Sequence, residues 1–191
     1  MSTVRALSNA VEARDSYTGK HAERVAAYGL VIAKAMGSRL ADDPTTEFGF
    51  LLHDVGKVAV PDAVLYKPGP LTDEEREVIA RHPVIGAQIL RGIEFLGEAK
   101  SVVRHHHERW DGTGYPDRLA GDEIPLAARV FAVADTFDAL TSDRPYRAAS
   151  TFRAARRVIA DGAGSQFDPE VAAAFETISD EQLTEIHLSL A

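Results

Sequence analysis

Apolar residues in this chain recur at helical spacing almost from end to end, and no segment alternates convincingly with period two. Val25, Tyr28, Ile32, Ala33 and Met36 repeat at three and four residues and stop near Gly37. Asp43-Pro44 reads as a cap and first helical position ahead of Phe48, Leu51, Leu52 and Val55. Thr72 with Glu75 three residues on reads as a capping box for a helix carrying Val78, Ile79 and His82. Pro83 closes that helix and opens another through Ile85, Ile89 and Leu90. Further helices are predicted from Ala99 to about His107, from Pro125 through Leu140, over Thr151 to Ile159 and over Asp168 to Ile178, with loops at about 58–70 and 111–124. The expected fold is therefore all-α, a compact helical bundle in one domain over 1–191.

Composition narrows the chemistry. The 191 residues are 45% hydrophobic and 26% charged, which fits a globular chain with a real core, and no apolar run approaches the ~18 residues of a membrane span. No secretory signal is visible after Met1, so a cytoplasmic protein without membrane attachment is expected. A net charge of -8 argues against a DNA- or RNA-polymer binder. Arg104, Arg109, Arg129, Arg144 and Arg147 nevertheless lie in the part of the chain that holds most motifs. Any one of them taken alone reads as a partner of neighbouring acids; together they also suit a small phosphorylated ligand.

With no cysteine present, ligands to a metal must come from histidine, aspartate and glutamate. Six of the seven histidines fall in short motifs. His53 and Asp54 sit together near a predicted helix end, where the carboxylate's second oxygen can bridge to another cation. His21, His82, His106, His107 and Asp135 add five potential ligands, each of which alone would read as an ordinary polar residue. Mixed imidazole and carboxylate donors suit iron, manganese or zinc better than calcium or magnesium.

The segments Arg14–His21, Leu52-His53-Asp54-Val55-Gly56-Lys57, His106-His107-Glu108 with Gly114-Tyr115-Pro116, Ala132–Leu140 and Asp143-Arg144-Pro145-Tyr146-Arg147 resemble the HD-GYP domain, a bacterial branch of the HD phosphohydrolase superfamily. The resemblance runs from about Leu7 to Phe175, leaving 176–191 as an acidic tail. It implies an all-α catalytic domain with a metal centre in its core that hydrolyses cyclic di-GMP to linear pGpG, and further to GMP in some members. It further implies that His21, His53, Asp54 and Asp135 hold one metal and that Asp54 bridges to a second held by His82, His106 and His107. Two such metals ~3.5–4 Å apart would clamp a phosphoryl oxygen and activate the attacking hydroxide. Catalytic roles then fall to Lys57 and Asp54, and substrate contacts to Tyr115, Arg144, Arg147 and Lys57.

Several readings stay open at this level. Some family members use glutamate where this chain has Tyr17 to hold a third metal; a neutral phenol is a poor ligand, so two metals are expected. His105 competes with its two neighbours, the spacing to the glycine loop favouring His106 and His107. Glu108 is expected to accept from a ligand imidazole, Trp110 to pack beneath the loop, and His187 to be a surface residue. A broader HD-type nucleotide phosphohydrolase and a non-catalytic cyclic di-GMP sensor or docking module are the alternative functions. A sensory or receiver domain, cyclic di-GMP signalling proteins and a second copy of the chain are the partners such a domain would meet. The chain opens almost at the first motif, which fits either a free-standing enzyme or a catalytic piece.

Overall fold

The computed structural model describes residues 2–14, 20–143 and 148–190. Its helices are α1 Ser2–Glu12, α2 His21–Ala35, α3 Pro44–Leu52, α4 Asp62–Leu65, α5 Asp73–Ile79, α6 His82–Ile89, α7 Ala99–His105, α8 Leu126–Thr141, α9 Phe152–Asp161, α10 Pro169–Glu176 and α11 Asp180–Ser189. Short 3-10 turns cover Arg39–Ala41, Val55–Ala59, Glu94–Leu96 and Gly121–Glu123. Among the described residues the one extended pairing is a bridge between Ala163 and Phe167. Among the described residues, no helix is long and apolar enough to cross a membrane.

Local chemistry sets the helix starts where the sequence placed them. Asp43 accepts from the Thr45 amide with Pro44 at the first position of α3, and Thr72 and Glu75 close both halves of the capping box on α5. Thr151, Asp168 and Ser179 cap α9, α10 and α11 in the same manner.

The core lies between α2 and α8. Val25, Tyr28 and Ile32 from one helix and Val130, Val133 and Phe137 from the other have no exposed surface. The Tyr28 and Phe137 rings meet edge to face with centroids 5.0 Å apart, an arrangement the ring quadrupoles favour. From this pair the packing spreads through α3 to α7 and on to α6.

Two ends of the chain depart from the sequence reading. α1 was not anticipated, because it buries only Val4, Ser8 and Val11 and so carries a sparse apolar stripe. The segment read as an acidic tail contains α11, which packs on α2 with Leu183 fully buried while Arg24 donates to the Leu190 carbonyl. His187 on that helix is half-buried and meets the Tyr28 hydroxyl at 3.3 Å, so it is a packing residue rather than a surface one. Its acidic neighbours hid a single apolar anchor. The predicted loop at 58–70 also contains the one-turn helix α4.

Gly56 is where backbone meets backbone. A Cβ there would lie 1.9 Å from the His82 carbonyl oxygen and 2.6 Å from the Gly86 amide nitrogen, so the Val55–Ala59 turn can pack on the start of α6 only without a side chain. Gly56→Ala is therefore expected to cost about 1–3 kcal/mol in urea denaturation and to weaken metal uptake by moving His82. An unchanged unfolding midpoint would contradict this packing account.

Candidate metal centre

The last carbonyls of a helix have no partner within it, and three of the expected ligands use that fact. His53 follows the end of α3, His82 follows α5 and opens α6, and His106 follows α7. Each turns its Nδ1 back onto the carbonyl three residues earlier: His53 to Phe50 at 2.9 Å, His82 to Ile79 at 2.8 Å and His106 to Val103 at 2.9 Å. A carbonyl has no hydrogen to give, so Nδ1 carries the proton and, in the neutral ring, Nε2 is left as a lone pair.

Those lone pairs converge. His82 Nε2 and His106 Nε2 are 3.1 Å apart, and ligand atoms of His82, His106 and His107 all lie within 4.8 Å of one another. Asp54 stands between two groups of ligands: Oδ1 is 3.3 Å from His82 Nε2, while Oδ2 is 3.0 Å from His53 Nε2 and 2.8 Å from Lys57 Nζ. On the far side, His21 Nε2 lies 3.4 Å from Asp135 Oδ1, and its ring centroid is 5.6 Å from that of His53. Phe131 of α8 forms the floor, with its centroid 4.7 Å from His53 and 5.4 Å from His106.

His105, one residue before this cluster, faces away; its Nδ1 bonds the Ser101 carbonyl and its Nε2 lies 3.1 Å from Asp117. The glycine loop closes over His107. Gly114 sits where a Cβ would come within 2.4 Å of the Arg109 amide nitrogen, which lets the Tyr115 amide donate to the His107 carbonyl at 3.2 Å. The Tyr115 ring stacks on His107 with centroids 4.7 Å apart.

The sequence profile described as HD domain matches residues 5–171. This chain belongs to the HD domain family. A cyclic di-GMP phosphodiesterase of Pseudomonas aeruginosa is 48% identical over 84% of this chain and 39% of its own length. A 3'3'-cGAMP-specific phosphodiesterase of Vibrio cholerae is 41% identical over 86% of this chain and 32% of its own. The chain thus spans less than half of these relatives. The crystal structure of a cyclic GMP-AMP specific phosphodiesterase from V. cholerae superposes with a TM-score of 0.74 at 20% identity, over 96% of this chain and 50% of that one, which shows a shared fold.

Of the remaining expected roles, that of Glu108 changes, while the pairing of the arginines with acids and the packing of Trp110 hold. Glu108 does not back an imidazole; its Oε1 accepts from the Asp117 amide at 2.7 Å and so fixes the glycine loop. Arg104 pairs with Asp117, Arg109 with Asp111, and Arg129 with Asp122 and Asp168, which commits them within the fold. Trp110 packs in the loop, with the Arg129 guanidinium 5.7 Å from its ring. Tyr17, Arg144 and Arg147 lie outside the described residues. The residue that sequence reasoning missed is Asp138, buried on α8 and 2.7 Å from His21 Nδ1. Its only signal was a position one turn from Asp135, off the apolar stripe.

Electrostatics follow from crowding these groups away from water. Burial alone would raise the Asp54 carboxyl, but when the His53 and His82 rings are protonated, the charge of His53, that of Lys57 and hydrogen bonds from both rings hold it well below the usual carboxylate range. Burial, reinforced by neighbouring imidazoles, depresses His106, and the same causes push His107 down to about 3. Burial opposes charge at His21 too, yet Asp138 and Asp135 raise it.

These shifts fix how the metal-free HD domain responds to acid. Below pH ~6.5 the unfolded chain protonates imidazoles that His106 and His107 keep neutral when folded, so stability falls as pH falls, by ~1.4 kcal/mol per pH unit for each ring. His21 has the opposite sign, and its contribution is lost as pH rises above ~6.5. Chemical denaturation of metal-free protein between pH 4 and 6.5 should therefore show this slope, and His107→Gln should flatten it by one ring's share. Equal slopes in the two proteins would refute the neutral assignment of His107.

Proposed function

We propose that this HD domain is a metal-dependent phosphodiesterase that opens cyclic di-GMP to linear pGpG. The observation that carries the reading is the His82–His106 contact: two Nε2 atoms 3.1 Å apart, whose Nδ1 protons are fixed elsewhere, present lone pair to lone pair. That arrangement is repulsive unless a cation or a shared proton lies between them. The depressed Asp54 carboxyl and the neutral imidazoles are the protonation states that metal ligands require. The donor set therefore fits divalent transition metals, iron or manganese ahead of zinc, nickel or cobalt.

In this proposal His82, His106, His107 and one Asp54 oxygen hold one cation, and the other Asp54 oxygen joins His53, His21 and Asp135 around a second. When bound, such a pair supplies Lewis acidity toward the phosphoryl group and a strong nucleophile at neutral pH. Asp54 joins the two halves of the site through its own carboxylate. Lys57 Nζ, held 2.8 Å from that carboxylate, brings a fixed positive charge to the side where charge develops on phosphorus. Tyr115, stacked on His107 by one face, is assigned to a guanine, and its hydroxyl, pushed up to about 12 by burial and by the Asp54 charge, stays protonated as a hydrogen-bond donor. Arg144 and Arg147 are assigned to the substrate phosphates, which guanidinium forks fit bidentately.

The names of the relatives, which include cyclic di-GMP and 3'3'-cGAMP phosphodiesterases, support a cyclic dinucleotide over a general phosphoester. Incubation of anaerobically purified, iron- or manganese-loaded protein with either dinucleotide, followed by chromatography, tests the proposal. Cyclic di-GMP should be opened faster, with pGpG accumulating. Lys57→Ala should lower kcat by about 100-fold at little change in KM. Intact dinucleotides alongside rapid hydrolysis of a simple aryl phosphodiester would shift the reading to a broader phosphohydrolase.

A further inference from the structure

His21 is held differently from the other histidines of the cluster. It opens α2, and among the described residues its Nδ1 meets no carbonyl of a helix's last turn. A carboxylate takes that place: His21 Nδ1 lies 2.7 Å from Asp138 Oδ2. Asp138 is 1% exposed and is itself gripped from behind, Arg24 Nε donating to Oδ1 at 2.6 Å and Arg24 Nη2 to Oδ2 at 3.1 Å. Ser142 completes the group, with its hydroxyl 3.4 Å from Oδ1 and 3.3 Å from Arg24 Nη2. Buried charges persist when paired and hydrogen-bonded in this way.

We propose that Asp138, locked by Arg24, is a positioning residue that fixes His21 in the Nδ1–H tautomer and so aims its Nε2 lone pair beside Asp135 as a metal ligand. The inference rests on the metal reading of the site given above. An ionised carboxylate only accepts, so Oδ2, which takes one hydrogen bond from Arg24 Nη2, requires that the proton in its contact with His21 sit on Nδ1. An isosteric amide cannot do this. In Asp138→Asn one edge of the amide meets an Arg24 donor whichever way it turns; with the oxygen on the closer one, Nε at 2.6 Å against Nη2 at 3.1 Å, the NH2 group faces His21 Nδ1. Two donors cannot share that contact, so the ring must present a lone pair at Nδ1 and carry its proton on Nε2, the atom that a cation needs bare.

Nitrogen-15 NMR of metal-free protein tests this, recorded at a pH where the ring is neutral and with the His21 signals assigned from a His21→Gln spectrum. Wild-type protein should show Nδ1–H and a bare Nε2, and Asp138→Asn the reverse, in a variant that stays folded at a lowered thermal midpoint because Arg24 loses its buried counter-charge. Metal titration should show binding weakened by about 10- to 100-fold in the variant, the range found for partners that orient ligand imidazoles. A proton on His21 Nε2 in the wild type overturns the proposal without any variant. The same tautomer in both proteins, or a reversed tautomer with unweakened metal binding, overturns it equally. Wild-type protein that takes up no cation would instead defeat the metal reading, while the tautomer measurement still decides the role of Asp138.

Discussion

The site depends on one small interaction used three times, an imidazole Nδ1–H bonded to a carbonyl in the last turn of the preceding helix. Each bond satisfies an acceptor that the helix cannot satisfy itself, and each fixes which nitrogen of the ring is bare. Stability and ligand preparation thereby come from the same atoms. Bringing three helix ends together over Phe131 then converts three local bonds into one cluster of lone pairs. Charging several imidazoles crowded together away from water costs more than leaving them neutral, which explains why His106 and His107 resist protons.

The ends meet because side chains are missing where backbones must touch. Gly56 lets the turn bearing Lys57 lie against the start of α6, and Gly114 lets the loop bearing Tyr115 fold back over His107. Between them Asp54 faces both halves of the cluster. Helix α8 contributes from the opposite wall, with Asp135 toward His21 Nε2 and Asp138 behind the ring. Residues three apart share a helix face, so one element places a carboxylate at each ring nitrogen of His21.

Most of this was legible before folding, for reasons that differ by residue. The helical period and the caps at Asp43, Thr72, Thr151 and Asp168 are local, and the structure keeps them. His53, His82, His106 and His107 were recognisable by motif, and the structure brings them together with Asp54, His21 and Asp135. Illegible were the contacts set by tertiary packing. Asp138 looked like any acid near Asp135, and Glu108 looked free to back an imidazole when its carboxylate holds a loop amide. α1 and α11 escaped notice because each buries only one to three side chains. Arg104, Arg109 and Arg129 pair with acids, as each taken alone was read to do, but which acid each one meets is set by packing for Arg104 and Arg129.

The central claim is that these nitrogens and carboxylates converge on cations. Crystals of manganese-loaded protein, measured with anomalous scattering at the manganese edge, test it directly. The account predicts anomalous peaks within bonding distance of Nε2 of His82 and His106 and of an Asp54 oxygen, with a second peak toward His21 and Asp135. A loaded crystal with no peak between His82 and His106, or with manganese only at surface carboxylates, would contradict it.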